Sequence, residues 1–276
     1  MSRFVNKVAL VTGAASGVGR AISRKLANEG CAVALVDLNT DSLAEEFEYL
    51  KKKNMQVSAH DIDLSDVSQF EQLMENVIKE HGQLNALFNN AGVIGAGKIG
   101  ELDPDTFDQL TAIHLKAPIF LTQAAMPFLS KTQGAVVNTS SASGTTTFPL
   151  LLTMYGTLKG GLAHFTKYTA AHGFRHSGVR ANAIAPGVIR TGMTENIYFD
   201  EEVGNLEMQQ CVRNAAPVGG GIIDSLILSV SASFLPESRF QQRDLTENYK
   251  NYMSSPYDDD TGSMSNFLLR KRSFRL

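Results

Sequence analysis

Short apolar runs alternate with helix-length amphipathic segments over most of this chain, and that alternation limits the fold more than any other feature. Residues 7–12, 32–36, 56–60, 84–88, 135–139 and 179–185 read as strands. Most are unbroken in apolar, often β-branched residues, as a strand must be when both of its faces are covered. Residues 17–30, 41–53, 65–80 and 153–176 read as helices, and Pro104 opens a further long one. Helix-length connections return each strand in the same direction, so the expected fold is α/β, a doubly wound parallel sheet with helices on both faces.

Composition agrees with this. The chain has 276 residues, 43% hydrophobic and 19% charged, which is enough apolar material for a large core and too little charge for wholesale disorder. A net charge of −3 argues against a nucleic-acid partner. No run approaches the roughly 18 apolar residues of a membrane span, so a cytoplasmic protein without membrane partners is expected. Cys31 and Cys211 form no CxxC pair and are expected to be reduced thiols. His172 and His176 stand four apart but have no third ligand, so they read as a solvated helix end and no metal is expected. From residue 236 the sequence turns polar and charged, dividing a domain at 1–235 from an atypical tail at 236–276.

The first strand ends in a glycine loop, Thr12-Gly13-Ala-Ala-Ser16-Gly17-Val18-Gly19. Gly13 permits a tight turn, Gly17 lets backbone approach a pyrophosphate, and Gly19 lets helix and strand pack closely. Gly13, Ser16, Gly17, Val18 and Gly19 are therefore candidate phosphate-binding residues, with the helix N-terminus supplying N–H groups and partial positive charge. Asp37 closes the second strand, where a carboxylate can accept hydrogen bonds from an adenosine ribose and repel a 2′-phosphate. No Arg or Lys stands at Ser16, Leu38 or Asn39 to offset that repulsion. NAD is the expected cofactor and NADP the less favoured one.

With Asn89-Asn90-Ala91-Gly92 after the fourth strand, Asn138-Thr139-Ser140-Ser141 ending the fifth, Tyr155-Gly-Thr-Leu-Lys159, and Pro186-Gly187 followed by Thr191, the chain resembles the short-chain dehydrogenase/reductase family over about residues 3–235. The resemblance implies a Rossmann-like fold and an oxidoreductase that moves a hydride between NAD(H) and a secondary alcohol or ketone. Tyr155 is implied as general acid/base. Lys159 is implied as the group that lowers the Tyr155 pKa, together with an oxidised nicotinamide, and that binds the nicotinamide ribose. Ser141 is implied as the group that polarises the substrate oxygen, with Ser140 as the alternative, since Ser141 lies fourteen residues before Tyr155. Asp63, with Asp61 as competitor, would meet the adenine. Asn90 and Gly92 would line the cofactor groove, and Pro186, Ile189 and Thr191 would hold the nicotinamide. A homo-oligomer, dimer or tetramer, built on the long helices is also implied.

Two departures from the family pattern, at His114 and at the C-terminus, stand out beside a clue to the substrate. His114 occupies the position of a catalytic asparagine; as an imidazole with a pKa near 6.5 it would hold the relay water and alter the pH dependence. The apolar stretches 148–152 and 197–199 suggest an apolar small-molecule substrate. No seventh strand is legible in residues 237–276, so the sheet is expected to lack its usual last strand. His114 and the tail also motivate a second reading, a catalytically impaired nucleotide-binding sensor or scaffold on the same fold.

Overall fold

A computed structural model describes residues 2–95, 97, 99–145, 152–187, 189 and 191–194. The stretches 148–151, 197–199 and 236–276, the domain boundary near 235 and Cys211 lie outside the described residues. So does the place of any seventh strand.

The elements follow the alternation read from the sequence. They run β1 (Val8–Thr12), α1 (Gly17–Asn28), β2 (Ala32–Asp37), α2 (Thr40–Lys51), β3 (Val57–Asp61) and α3 (Phe70–His81). There follow β4 (Ala86–Asn89), α4 (Pro104–Thr111), α5 (Ala117–Thr132), β5 (Ala135–Thr139), α6 (Thr153–His176) and β6 (Arg180–Ile184). Asp66 caps a 3₁₀ turn, Val67–Gln69, that leads into α3, and Gly82 ends that helix in the left-handed conformation.

The described strands form one parallel sheet in the order β3-β2-β1-β4-β5-β6. Alternate residues of the central strands enter two cores. Ala9, Val11, Val33 and Leu35 pack with Ile22 and Leu26 of α1, while Leu10, Ala34 and Val36 share the opposite core with Leu73, Leu121 and Leu129. That is why these strands carry apolar residues at every position. The order reverses between β1 and β4, so the loops leaving their carboxyl ends diverge and open a crevice there.

A buried polar ladder crosses the sheet beside this crevice. Asn89 donates to Asn138 (2.8 Å) and to Thr122 on α5 (3.1 Å), and Asn138 donates to Thr166 on α6 (2.8 Å). Each amide finds a partner, so the cost of burying these groups is offset, and β4 and β5 are held in register with both helices. The sequence reading did not single out Thr122 and Thr166; polar residues on otherwise apolar helix faces are the signal that marks them.

Candidate active site

The glycine loop leaves β1 in a conformation that glycine supports best. Gly13 has φ +66° and Gly17 has φ +47°, both left-handed. Gly19 serves close packing, since a Cβ there would lie 2.0 Å from the Gly13 carbonyl oxygen. Ser16 is the N-cap of α1, yet its side chain makes no capping hydrogen bond. The first-turn N–H groups of α1 thus lack that side-chain partner, which suits an anion such as a dinucleotide pyrophosphate. Val18, in the same turn, packs against the core below.

Asp37 faces this loop from the end of β2. One carboxylate oxygen accepts from the Ala15 N–H (2.9 Å), the other from the Asn39 N–H (3.0 Å), and each keeps lone pairs for ribose hydroxyls. Asp61 stands directly opposite Asp37 in the β2–β3 register and is exposed. Asp63 is half-buried and accepts from the Ser65 N–H (2.8 Å).

The loop after β4 is tied to the glycine loop through Thr12. Its hydroxyl accepts from the N–H groups of Asn90 and Ala91, both at 3.0 Å, and donates to the Phe88 carbonyl (3.2 Å). The Asn90 side chain donates to the Thr12 carbonyl (3.1 Å) and accepts from Thr139 (3.3 Å), bracing the ends of β1 and β5. Gly92 lies against His114; a Cβ there would sit 2.8 Å from the ring.

Tyr155 and Lys159 occupy successive turns of α6, on one face. The Ser141 hydroxyl lies beside the Tyr155 hydroxyl and favours its ionised form. Its neighbour Ser140 is fully committed elsewhere, donating to the Lys159 carbonyl (2.7 Å) while buried. Geometry therefore brings Ser141, and not Ser140, to the tyrosine. Lys159 is 3% exposed, its ammonium donates to the Thr139 carbonyl (2.6 Å), and burial pushes its pKa down to about 7.

The expected lowering of the Tyr155 pKa by Lys159 does not appear in the chain by itself. Burial pushes the phenol up, and the Ser141 hydroxyl only opposes this. Lys159 Nζ is held on the Thr139 carbonyl, 5.7 Å from the centroid of the Tyr155 ring.

His114 also differs from expectation. The helix opened by Pro104 is not continuous: a π-turn, Ala112–Lys116, separates α4 from α5 where His114 turns inward. The ring is 1% exposed, meets the Tyr155 ring edge-on with centroids 5.1 Å apart, and has its Nε2 2.7 Å from the Val93 carbonyl oxygen. Burial, reinforced by the Lys159 charge, pushes its pKa down to about 3 rather than leaving it near 6.5. His114 is thus neutral at physiological pH; the same Nε2 also lies 3.2 Å from the Val93 amide nitrogen, and the ring tautomer sets whether it donates to the carbonyl or accepts from the N–H. Its Nδ1 is buried without a hydrogen-bond partner among the described residues.

This carries a stability consequence. The unfolded histidine takes up a proton near pH 6.5 and the folded one only near pH 3, so the stability held by the neutral ring is complete above about pH 6.5 and is lost as pH falls toward 3. Between pH 7 and pH 5 the loss amounts to about 2 kcal/mol from this residue. His60 and His81, also lowered chiefly by burial, act in the same direction. Urea unfolding of the wild type and His114→Asn at both pH values checks it; equal pH dependence in the two proteins would refute it.

The segment after β6 closes over the glycine loop. The Thr191 methyl would lie 3.4 Å from a Cβ at Gly17. Thr194 donates to the Ile189 carbonyl (2.6 Å) and Ile189 is buried. The Pro186 carbonyl accepts from Ala142 (2.8 Å), tying this segment to the turn that carries Ser141.

The comparisons agree with this arrangement. The short chain dehydrogenase family model matches residues 7–202. The chain belongs to the short-chain dehydrogenase family. A diacetyl reductase ((S)-acetoin forming) of Staphylococcus epidermidis is 35% identical over 74% of this chain and 78% of its own. A short-chain dehydrogenase from Burkholderia cenocepacia in complex with NADP is 25% identical, with a TM-score of 0.76 over 86% of this chain and 94% of that one. An NAD+-bound xylitol dehydrogenase is 26% identical, with a TM-score of 0.76 over 87% and 96%. The family is one of oxidoreductases that bind NAD(P).

Within this short-chain dehydrogenase, no helix among the described residues is long and apolar enough to cross a membrane. His172 and His176 are exposed, with ring centroids 4.7 Å apart. Thr12, Thr139 and Val93 were missed by sequence reasoning as residues that organise the site. Thr12 and Thr139 left a signal, as the hydroxyl residues that open the glycine loop and stand in the fifth-strand motif, whereas Val93 left none.

Proposed function

We propose that this chain is an NAD(H)-preferring oxidoreductase acting on a secondary alcohol or ketone, with Tyr155 moving the proton. The observation that carries the reading is the half-buried Tyr155, with Ser141 beside its hydroxyl, one helical turn from Lys159 and at the same edge of the sheet as the glycine loop. When bound, the dinucleotide supplies hydride chemistry at its nicotinamide. The uncapped α1 N-terminus formed by Gly13, Ser16, Gly17, Val18 and Gly19 would hold its phosphates, and Asp37 its adenosine ribose. Asp63 would meet the adenine. Asn90, Gly92, Pro186, Ile189 and Thr191 would border the nicotinamide half.

In carbonyl reduction the neutral Tyr155 hydroxyl donates its proton to the oxygen of the substrate, while the Ser141 hydroxyl holds that oxygen. A phenol raised by burial is fully protonated and ready to give this proton. In alcohol oxidation it must first lose the proton. Lys159 is suited to help there, because its ammonium can turn from Thr139 toward the active site once a ribose offers it partners. His114 takes no proton in this scheme; it holds the Val93 backbone and stacks its edge on Tyr155.

NAD preference rests on charge. Asp37 and Asp61 stand on adjacent strand ends, and a 2′-phosphate placed there would face two carboxylates. A small, largely apolar alcohol or ketone fits buried Leu152 beside the Tyr155 turn. A homo-oligomer built on α5 and α6, where Phe120 and Tyr168 are exposed, belongs to the same reading; a monomer by light scattering would remove that part.

Fluorescence titration with NADH and NADPH tests the cofactor reading. The chain has no Trp, so nicotinamide emission is read against little protein background. NADH should bind at least tenfold tighter, corresponding to about 1.4 kcal/mol. Equal affinities would overturn the role given to Asp37, and failure of both to bind would overturn the enzyme reading.

A further inference from the structure

We infer that the buried carboxylate of Glu46 on α2, acting through Arg20, positions the glycine loop for the dinucleotide phosphates. The inference rests on the cofactor reading above and adds two positioning residues to it.

Glu46 is 2% exposed, on a helix that otherwise turns its charges to solvent. A carboxylate this deep is costly unless its oxygens are paired. Arg24 on α1 supplies a two-pronged contact, Nε at 2.9 Å and Nη2 at 2.6 Å. That pair alone would satisfy a tie between α1 and α2. Yet a second guanidinium is present: Arg20 Nε lies 3.5 Å from the same carboxylate.

Arg20 also reaches the glycine loop. Its Nε donates to the Ala15 carbonyl oxygen at 2.8 Å, and its Nη2 donates to the same oxygen. One guanidinium therefore bridges a buried charge on α2 and a loop carbonyl. On the other side of that residue, the Ala15 N–H donates to Asp37 (2.9 Å). The chain of contacts runs Glu46, Arg20, Ala15, Asp37 and links α2, α1 and the end of β2 through one loop residue.

The consequence follows from peptide geometry. In a planar trans peptide the carbonyl of Ala15 and the N–H of Ser16 point in opposite directions. Holding the carbonyl on Arg20 aims the Ser16 N–H away from Arg20 and fixes how the N-cap residue enters α1. Donors at a helix N-terminus act on an anion only when aimed at it. Glu46 keeps Arg20 beside the loop, because a guanidinium 36% exposed in its side chain would otherwise sample solvent.

The test is a binding cycle on the full chain, with NADH as the probe and adenosine, which lacks phosphate, as the control ligand. Arg20→Gln leaves the Arg24–Glu46 contact in place and is expected to fold. It should raise the NADH Kd about tenfold, as for the loss of one charge-assisted hydrogen bond, and leave the adenosine Kd unchanged. Glu46→Gln should raise the NADH Kd in the same direction, and the double variant should be no weaker than Arg20→Gln alone, because both act through one contact. Arg20→Lys, which keeps the charge but not the planar fork, should recover part of the loss.

A lowered melting temperature with an unchanged NADH Kd would show a merely structural tie between helices and overturn the inference. So would effects that simply add in the double variant, or an adenosine Kd that rises as much as that of NADH. A wild type that binds no dinucleotide overturns the cofactor reading and this inference with it, whereas wild-type binding with unaffected variants overturns this inference alone.

Discussion

Tyr155→Phe should reduce turnover by about 10³-fold while changing NADH affinity less than threefold, since a positioned general acid typically contributes 10²–10⁴ to rate. The substitution removes only the phenolic oxygen. The ring keeps its edge-on contact with His114, and the Ser141 hydroxyl keeps its turn contact with the Ser143 N–H (3.2 Å). The loss should fall on kcat far more than on the substrate KM, because the proton is needed only as charge develops on the substrate oxygen. Steady-state kinetics with a ketone panel, paired with NADH titration, measures both. The sensor or scaffold reading predicts no turnover in the wild type, and therefore no loss on substitution.

Gly19→Ala should be the most disruptive single methyl in the site. Its Cβ would sit 2.0 Å from the Gly13 carbonyl oxygen and 2.6 Å from the Asn90 amide nitrogen. The carbonyl is backbone, so no rotamer change relieves the clash, and α1 must move away from β1. Overpacking in a tight core costs typically 1–3 kcal/mol, and about 3 kcal/mol or more is expected here. NADH binding should weaken at least tenfold, because the displaced helix carries the phosphate-binding N–H groups. Gly187→Ala is the control: among the described residues a Cβ there meets nothing within 4 Å, and stability and binding should both stay near wild type. Chemical unfolding and NADH titration of the two variants check this; a Gly19→Ala protein as stable as Gly187→Ala would refute the close-packing account.

Tyr155 and Gly19 are both visible in the sequence. The glycine loop and the Tyr155–Lys159 pair are local patterns. Their spacing follows from the geometry of one turn and one helix, so no distant partner is needed to recognise them. The sheet is legible for a related reason: strands buried on both faces must be apolar throughout, and a parallel return demands a helix.

Other features depend on contacts far apart in the chain. Ser140 and Ser141 are adjacent and chemically alike, and only the packing of the fifth strand against α6 sends one hydroxyl to the Lys159 carbonyl and the other to Tyr155. Asn138 is legible as a motif residue, but its partners Asn89 and Thr166 stand 49 and 28 residues away. Glu46 and Arg20 look like ordinary helix charges in the sequence, since nothing local reports that one is buried and the other touches a loop carbonyl.

Titration state is the clearest division. Residue order places a histidine at 114, a tyrosine at 155 and a lysine at 159, and so sets which groups can donate or accept a proton. Tertiary structure alone decided their charges. Burial holds His114 neutral, raises the Tyr155 phenol and brings Lys159 down to about 7, because removing an ion from water costs more than the nearby partners return. Residue type sets the chemistry available to a site, while desolvation, which no short stretch of sequence records, sets the state in which that chemistry begins.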